Sequence, residues 1–226
     1  MTRTTLITGG TGALGSAVTR RFLADGHRVA VTYRHSRPGS AAEQPLPVKA
    51  DVTDPRSVES LVREVESRLG SIEVLIHLVG GYEGGELLHQ SSVETWDRML
   101  ELNLKSAFLC CRAALGSMLA GGWGRIVLVS SRAARSGRSK QAAYAVAKAG
   151  VSVLAEAIAE ETRGTAVTAN VVSPSTIDTP ANRAAMPRAD AASWVPAADI
   201  AAAIAFLASE EAGQLRGAWL PVFGSA

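Results

Sequence analysis

The chain has 226 residues, of which 47% are hydrophobic and 19% are charged. This length and apolar content predict a single domain over residues 1–226 with one large core. The 23 basic residues nearly balance the 21 acidic ones, and because no block of like charge stands out, the composition gives no support to nucleic-acid binding.

The sequence gives little sign of export, of a membrane span or of a metal site. Thr8-Gly9 interrupts the first apolar run too early for a signal peptide, and no run of about 18 apolar residues follows. Cys110 and Cys111 are adjacent, which suits neither a disulfide framework nor a zinc site. We expect a cytoplasmic protein with no membrane, metal or nucleic-acid partner.

Short β-branched runs alternate along the chain with longer amphipathic or Ala-rich runs. The runs predict about seven strands, at residues 5–7, 28–32, 46–49, 72–79, 125–130, 165–172 and 218–222. They predict about six helices, at residues 13–25, 55–69, 91–119 (one long helix or two), 141–163 and 197–208. This alternation is typical of an α/β fold with a doubly wound, mainly parallel seven-stranded sheet and helices on both faces.

Two connections fall outside this rhythm. Residues 36–44 form a Pro/Gly/Ser connection after the second strand, and residues 174–196 precede the last helix. Because so long a connection inside a compact domain is usually functional, we interpret residues 174–196 as a substrate loop or lid.

A glycine-rich segment lies between the first strand and the first helix. It reads Thr8-Gly9-Gly10-Thr11-Gly12-Ala13-Leu14-Gly15. Glycines in this setting permit a tight turn and bring backbone N–H groups close to a pyrophosphate at the helix N-terminus. The segment predicts a dinucleotide site with contacts from Gly9, Thr11, Gly12, Leu14 and Gly15, although a purely structural turn would also use glycine.

The end of the second strand bears on the choice of cofactor. An acid there would bind the ribose 2′-hydroxyl, whereas an arginine pairs with a 2′-phosphate. The sequence has Tyr33-Arg34 and no acid, which favours NADPH, unless Arg34 is only a solvated surface charge. Asp51 and Val52, after the third strand, are candidates for contacting the adenine, or Asp51 is a turn residue ahead of the next helix.

Tyr144 and Lys148 are four residues apart in a predicted helix and therefore share a face. A lysine ammonium beside a phenol stabilises the phenolate and lowers the tyrosine pKa, as a general acid needs. The alternative is a half-buried tyrosine beside a lysine that extends to solvent. Ser131 follows the fifth strand and could hydrogen-bond a substrate carbonyl or cap a turn, and the spacing alone leaves Ser130 as another choice.

Over essentially its full length the sequence resembles the short-chain dehydrogenase/reductase family. The resemblance rests on the order and spacing of Thr8 to Gly15, Asp51-Val52, Asn103, Ser131, Tyr144-x-x-x-Lys148 and residues 174–179. It implies a Rossmann-type fold in which Tyr144 is the acid/base, Lys148 holds the nicotinamide ribose, Ser131 positions the reacting oxygen and Asn103 completes the site through water. It further implies cofactor contacts from Val79, Gly80, Pro174, Ile177 and Thr179.

The sequence departs from the family pattern at three places, of which one is Ser175, in the position of an expected glycine after Pro174. Ala13 stands where the commonest motif has glycine, and His77-Leu78-Val79-Gly80 replaces Asn-Asn-Ala-Gly after the fourth strand. Locally, residues 80–85 and 178–190 with Trp194 resemble dihydropteridine reductases, a group within the family. On that resemblance Met186 and Trp194 are possible walls of a substrate site, or they only pack the last helix.

These features predict an NADPH-dependent oxidoreductase that reduces a ketone of a small molecule. We expect an uncharged or weakly polar substrate, because no cluster of Arg and Lys is evident at the crevice. Reduction of a pterin or another C=N bond is the nearest alternative, and a non-catalytic NADP(H) sensor or a redox-neutral isomerase also stays open. The resemblance implies a homotetramer or dimer formed through residues 91–119 and 141–163.

Overall fold

A computed structural model describes residues 2–35 and 45–225. The predicted connection 36–44 therefore lies outside the described residues. The strands are β1 (Thr4–Thr8), β2 (Arg28–Tyr33), β3 (Leu46–Lys49), β4 (Val74–His77), β5 (Gly124–Val129), β6 (Val167–Pro174), β7 (Ile177–Asp178), β8 (Val195–Pro196) and β9 (Trp219–Val222). The helices are α1 (Ala13–Ala24), α2 (Pro55–Leu69), α3 (Val93–Leu100), α4 (Ser106–Ala120), α5 (Ala142–Glu161), α6 (Pro180–Ala185) and α7 (Ala197–Leu207).

Seven of the strands form one parallel sheet in the order β3-β2-β1-β4-β5-β6-β9. This confirms the predicted α/β fold with a seven-stranded, doubly wound sheet. The chain runs outward from β1 to β3 and then returns to pair β4 with the other side of β1. In such sheets ligands bind beyond the carboxyl ends of the strands at this reversal, so the ends of β1 and β4 mark the expected crevice.

Each central strand supplies side chains to two apolar cores. Leu75 of β4 packs in the core that includes residues of α2, α4 and α5. Its neighbour Ile76 packs in the core that includes residues of α1 and α7. The sheet is therefore buried on both faces, which explains why its strands are continuous apolar runs rather than alternating ones.

The predicted helix at residues 91–119 is interrupted by a π-helical turn. Helix α3 runs into five π-helical residues, Glu101–Lys105, and α4 follows directly. A π turn holds one residue more than an α turn, and such turns are frequent at functional sites. Asn103, at the middle of this turn, is fully buried.

Short elements occupy the segment predicted as a substrate loop. β7 pairs with β8, and α6 lies between them. The role of residues 174–196 as a lid stays a prediction, as does the single-domain organisation.

Helix α5 alone among the described helices is long and apolar enough to span a membrane by length and composition. It packs against β5 and β6, and a core helix of a globular fold passes the same test.

The turn from β1 to α1 folds back closely on itself. Gly9 has a φ of +72°, a conformation that favours glycine, and the Gly12 N–H donates to the Gly9 carbonyl oxygen at 3.2 Å. A Cβ at Gly15 would lie only 2.1 Å from that same oxygen. The start of α1 can reach this position only with glycine at residue 15.

Gly15→Ala should therefore destabilise the protein by at least about 2–3 kcal/mol, since backbone on both sides of the contact must move. Gly116→Ala is the matched control, because a Cβ there meets nothing within 4 Å and alanine gains up to about 1 kcal/mol in an exposed helix. Urea denaturation measures both. Equal stability of the two variants would contradict the close approach.

Candidate active site

The N-terminus of α1 faces the end of β1 without a competing side chain. Its first residue follows Gly12, no side chain among the described residues caps it, and its first turn has no acid. The backbone N–H groups and the positive end of the helix dipole are therefore available to an anion. Thr11, Gly12 and Ala13 are exposed, Leu14 is partly buried and Gly15 is buried, so the predicted cofactor residues of this segment lie around one helix end.

Val79 closes the glycine turn from the neighbouring strand. A Cβ at Gly9 would be 3.3 Å from the Val79 side chain and 3.3 Å from its backbone nitrogen. The Gly9 N–H donates to the Thr32 hydroxyl at 3.0 Å. The ends of β1, β2 and β4 are thus tied together at the reversal of the sheet.

Arg34 and Asp51 form an ion pair at the ends of β2 and β3. The Arg34 guanidinium lies 3.0 Å from Asp51 Oδ2, and its side chain is 62% exposed. Asp51 Oδ1 accepts hydrogen bonds from the Thr53 hydroxyl at 2.7 Å and the Thr53 N–H at 3.0 Å, and these bonds are the main reason that the Asp51 pKa is lowered. The carboxylate is thus bonded within the turn ahead of α2, and Val52 beside it is buried. The contact of these two residues with an adenine stays a prediction.

The structure distinguishes Ser131 from Ser130. The Ser130 hydroxyl is buried and donates to the Lys148 carbonyl oxygen at 2.7 Å. The Ser131 hydroxyl accepts from the Ala133 N–H at 3.2 Å and lies near enough to the Tyr144 phenol to lower the Tyr144 pKa. Ser131 is therefore the serine that meets Tyr144, and it also caps a short turn.

Tyr144 lies in the first turn of α5, with its phenol largely enclosed. Burial raises the Tyr144 pKa, and the nearby Ser131 hydroxyl only partly offsets this effect. A raised pKa keeps the phenol protonated at neutral pH. The group is therefore set up as a proton donor.

Lys148 is buried one turn further along α5. Its Nζ donates to the Val129 carbonyl oxygen at 3.0 Å, and burial lowers its pKa to about 8. The expected lowering of the Tyr144 pKa by Lys148 is not seen, since the ammonium is directed to a main-chain carbonyl and Tyr144 is raised by its own desolvation. In this protein the two residues share a helix face without pairing their polar ends.

Asn103 is bonded to the loop that follows β4. Its Oδ1 accepts from the Gly81 N–H at 3.1 Å, and its Nδ2 donates to the carbonyl oxygens of Gly81 and Met99 at 3.0 Å. A Cβ at Gly80 would lie 2.7 Å from Asn103 Oδ1 and 2.9 Å from Lys148 Nζ. Only glycine at residue 80 lets these two polar groups approach the same stretch of backbone.

His77 takes the place of the family's asparagine and is buried between two hydroxyls. Its Nδ1 is 2.9 Å from the Thr8 hydroxyl and its Nε2 is 3.1 Å from the Ser106 hydroxyl. Because Ser106 donates its own proton to the Leu102 carbonyl oxygen, it must accept from Nε2–H, which leaves Nδ1 to accept from Thr8. Burial lowers the His77 pKa to about 3, with a contribution from the nearby Lys148 charge.

The remaining predicted cofactor residues lie at and after the end of β6. Pro174 ends that strand and is buried, and Ile177 lies in β7 with its carbonyl oxygen bonded to Asn182 Nδ2 at 2.8 Å. The Thr179 hydroxyl accepts from the Asn182 N–H at 3.1 Å and caps α6. Trp194 is buried and Met186 is partly exposed, so Trp194 packs the fold whereas Met186 is accessible.

The loop between Ser131 and Tyr144 is strongly basic. It carries Arg132, Arg135, Arg138 and Lys140, and the chain has no acid between Glu101 and Glu156. Arg135 stacks on Trp219 at 4.3 Å from the ring centroid. We expected an uncharged substrate because no cluster of Arg and Lys was evident at the crevice. That premise is wrong, because these four cations lie in the loop that joins Ser131 to Tyr144.

The described residues contain no group of three His, Cys, Asp or Glu side chains that could hold a metal ion. Cys110 and Cys111 are both buried, and burial raises the pKa of Cys110 to about 12. These thiols are therefore packing groups.

Comparison with known proteins establishes the class. The family of short chain dehydrogenases matches residues 3–190, and the chain belongs to this family. It is therefore an oxidoreductase of the kind that acts on carbonyl or hydroxyl groups.

Several relatives match almost the whole chain. The 3-oxoacyl-[acyl-carrier-protein] reductase MabA of Mycobacterium bovis is 38% identical, covering 99% of this chain and 92% of its own. The 3-oxoacyl-[acyl-carrier-protein] reductase FabG of Escherichia coli is 32% identical, covering 97% and 95%. Among solved structures, ElxO with NADP bound has a TM-score of 0.90 at 26% identity, covering 99% of this chain and 98% of its own. The ligand-free aldohexose dehydrogenase of Thermoplasma acidophilum also has a TM-score of 0.90, at 28% identity, with 99% and 93% covered.

No motif in the sequence assigns a role to Tyr82, which stands within residues 80–85. In the structure the Tyr82 ring meets Tyr144, with centroids 5.2 Å apart. The only sequence signal for Tyr82 is its position between the two glycine pairs Gly80-Gly81 and Gly84-Gly85.

The neutral state of His77 should make stability depend on pH. The folded protein keeps His77 neutral down to about pH 3, whereas the unfolded chain takes up a proton near pH 6.5. The contribution of His77 to the free energy of unfolding is therefore fully present above pH 6.5, and it is lost as the pH falls toward 3. Between pH 7.5 and 5, the free energy of unfolding should fall by about 2 kcal/mol more in the wild type than in His77→Asn.

Urea denaturation at the two pH values measures this difference. Because His77→Asn retains every other titrating group, including His27, those groups cancel in the comparison. Parallel pH profiles for the two proteins would contradict a buried neutral histidine.

Proposed function

We propose that the protein is an NADPH-dependent ketoreductase. The observation that carries the proposal is the largely enclosed Tyr144 phenol beside Ser131, one helical turn from the buried Lys148, whose Nζ donates to the Val129 carbonyl oxygen at 3.0 Å. This group of residues adjoins the uncapped N-terminus of α1 across the reversal of the sheet. A protein that only binds the cofactor would require the N-terminus of α1 but would not require Tyr144 as a proton donor.

The proposed reaction is the reduction of a ketone to an alcohol, for which NADPH supplies the hydride. Ser131 donates a hydrogen bond to the substrate carbonyl oxygen, and Tyr144 gives its proton to that oxygen as the carbon is reduced. Lys148, mostly protonated at neutral pH with a pKa of about 8, holds the ribose hydroxyls. The raised pKa of Tyr144 keeps its proton on the phenol until the more basic alkoxide oxygen develops.

Binding of the cofactor is assigned to the ends of β1 to β4 and of β6. The pyrophosphate would be held by the free backbone N–H groups at the start of α1, between Gly12 and Gly15, with Val79 and Gly80 toward the nicotinamide end and Ile177 and Thr179 toward its carboxamide. Arg34 provides the charge for a 2′-phosphate. Its ion pair with Asp51 is exposed and therefore weak, so the guanidinium can turn to a phosphate at little cost. The NADP bound to ElxO, a structural neighbour, supports this choice.

The favoured substrate class is a 3-oxoacyl thioester. The relatives MabA and FabG are named for such substrates on a carrier protein. The basic loop from Arg132 to Lys140 is suited to an anionic carrier, such as a phosphate-bearing cofactor arm or an acidic protein.

Pterin reduction, the cytoplasmic location and the homo-oligomer remain predictions. Val146 and Val153 leave exposed apolar surface on α5 of the kind a subunit interface covers, and light scattering measures the assembly state.

Variants of Tyr144 and Ser131 test the function. Tyr144→Phe should lower kcat for reduction of a 3-oxoacyl thioester by about 10²–10⁴-fold, since it removes the proton donor, while NADPH binding, followed by fluorescence, stays intact. Ser131→Ala should lower ketone reduction strongly but spare reduction of a quinonoid pterin. Tight NADPH binding without turnover of any ketone or imine would instead support the sensor.

Arg34→Gln tests the cofactor assignment. Loss of a charge-assisted contact should raise the KM for NADPH roughly 10- to 100-fold and leave the KM for NADH unchanged. Arg63→Gln, an exposed arginine on α2, is the control for a general loss of positive charge. An equal rise of both KM values in Arg34→Gln would show that Arg34 does not contact the 2′-phosphate.

A further inference from the structure

Tyr82 is an exposed aromatic residue in contact with the proposed proton donor. Its ring is edge-on to that of Tyr144, with centroids 5.2 Å apart and planes at 86°, yet 58% of Tyr82 remains accessible. An edge-to-face pair of this kind is favourable beyond its buried area. The accessible part of the ring adjoins the place where the substrate must approach Tyr144.

The loop that carries Tyr82 is held in place despite its four glycines. Gly81 exchanges two hydrogen bonds with the Asn103 amide, at 3.1 and 3.0 Å. Glu83 accepts from Arg98 Nε at 2.7 Å and from the Thr95 hydroxyl at 3.2 Å. The Gly85 N–H donates to the Lys140 carbonyl oxygen at 2.9 Å. Three anchors within five residues fix the position of Tyr82 before any ligand binds, so little ordering entropy opposes its use.

The backbone on both sides is shaped to allow this arrangement. A Cβ at Gly84 would lie 2.5 Å from the Lys140 carbonyl oxygen and 2.9 Å from the Tyr82 hydroxyl. Lys140 itself has a φ of +67°, which is uncommon for a residue other than glycine. Strained residues of this kind persist where the surroundings fix them and are frequent at ligand sites.

We propose that Tyr82 is a specificity-determining residue whose ring forms one wall of the substrate subsite over Tyr144. The accessible face of the ring receives the apolar substituent of the substrate beyond the reacting carbonyl, and the edge-to-face contact positions the Tyr144 phenol. This inference rests on the proposed ketoreductase function, because it assigns the residue that selects among ketones. The chemical class selected is an acyl chain long enough to cover the ring.

Turnover of two thioesters of different length tests the proposal. The substrates are N-acetylcysteamine thioesters of 3-oxobutyrate and 3-oxooctanoate, each assayed with NADPH. The preference for the longer substrate, as a ratio of kcat/KM values, should fall about tenfold in Tyr82→Ala, because the ring no longer covers the chain. Tyr82→Phe keeps the ring and should retain the preference. Leu88→Ala, also exposed and in the same connection, should leave it unchanged.

A second pair of variants tests the role of the loop without changing Tyr82. Gly84→Ala should displace the Tyr82 ring and reproduce the reduced preference. Gly137→Ala, where a Cβ meets nothing within 4 Å, should not. If Tyr82→Ala keeps the wild-type ratio, or if Tyr82→Phe loses as much as Tyr82→Ala, Tyr82 is not a wall of the subsite.

Binding measurements separate this inference from the proposed function. Calorimetry of the 3-hydroxyoctanoyl thioester should show weaker binding to Tyr82→Ala than to the wild type, whether or not turnover is observed. If the wild type binds this thioester more tightly than Tyr82→Ala does, but neither protein oxidises NADPH, the ketoreductase proposal is refuted and the Tyr82 subsite is retained. Equal binding by wild type and Tyr82→Ala would overturn the subsite.

Discussion

The site depends on the hydrogen bonds that His77 makes at the reversal of the sheet. Thr8 ends β1, His77 ends β4, and Ser106 begins α4, so one imidazole links the strand before the glycine turn to the helix after Asn103. All three groups are buried, and an unpaired polar group there would be costly. The proton order in this chain of bonds holds only with a neutral ring, which the apolar surroundings enforce.

Burial also sets the states of the two residues on α5. It raises the pKa of Tyr144 and lowers that of Lys148 to about 8, because desolvation disfavours the charged form of each group. At neutral pH Tyr144 is thus a neutral donor and Lys148 is a cation that is not far from losing its proton. The pair differs from the arrangement expected from sequence, in which the ammonium acts directly on the phenol.

The sequence predicted the fold because its signals are local. Strands buried on both faces appear as continuous apolar runs, and Asp54 and Pro55 mark the start of α2 at the predicted residue. The order of the glycine turn, Ser131, Tyr144 and Lys148 predicted the candidate site for the same reason. The contact of Tyr82 with Tyr144 and the bonds of His77 join residues 62 and 29 apart in sequence, and no local pattern encodes such pairs. Ser131 could likewise be distinguished from Ser130 only once the structure showed which way each hydroxyl points.

The π-helical turn at Glu101–Lys105 makes chain length as important as residue identity at this point. Deleting one residue there would close the wide turn into a regular α-turn, which keeps α3 and α4 in register but shifts the side chains of the turn itself. Asn103 would then swing away from Gly81 and release the loop that presents Tyr82, although every side chain of the site would still be encoded. Comparing only the identities of the site residues between relatives would not detect such a change, whereas a one-residue gap in the alignment at this turn would.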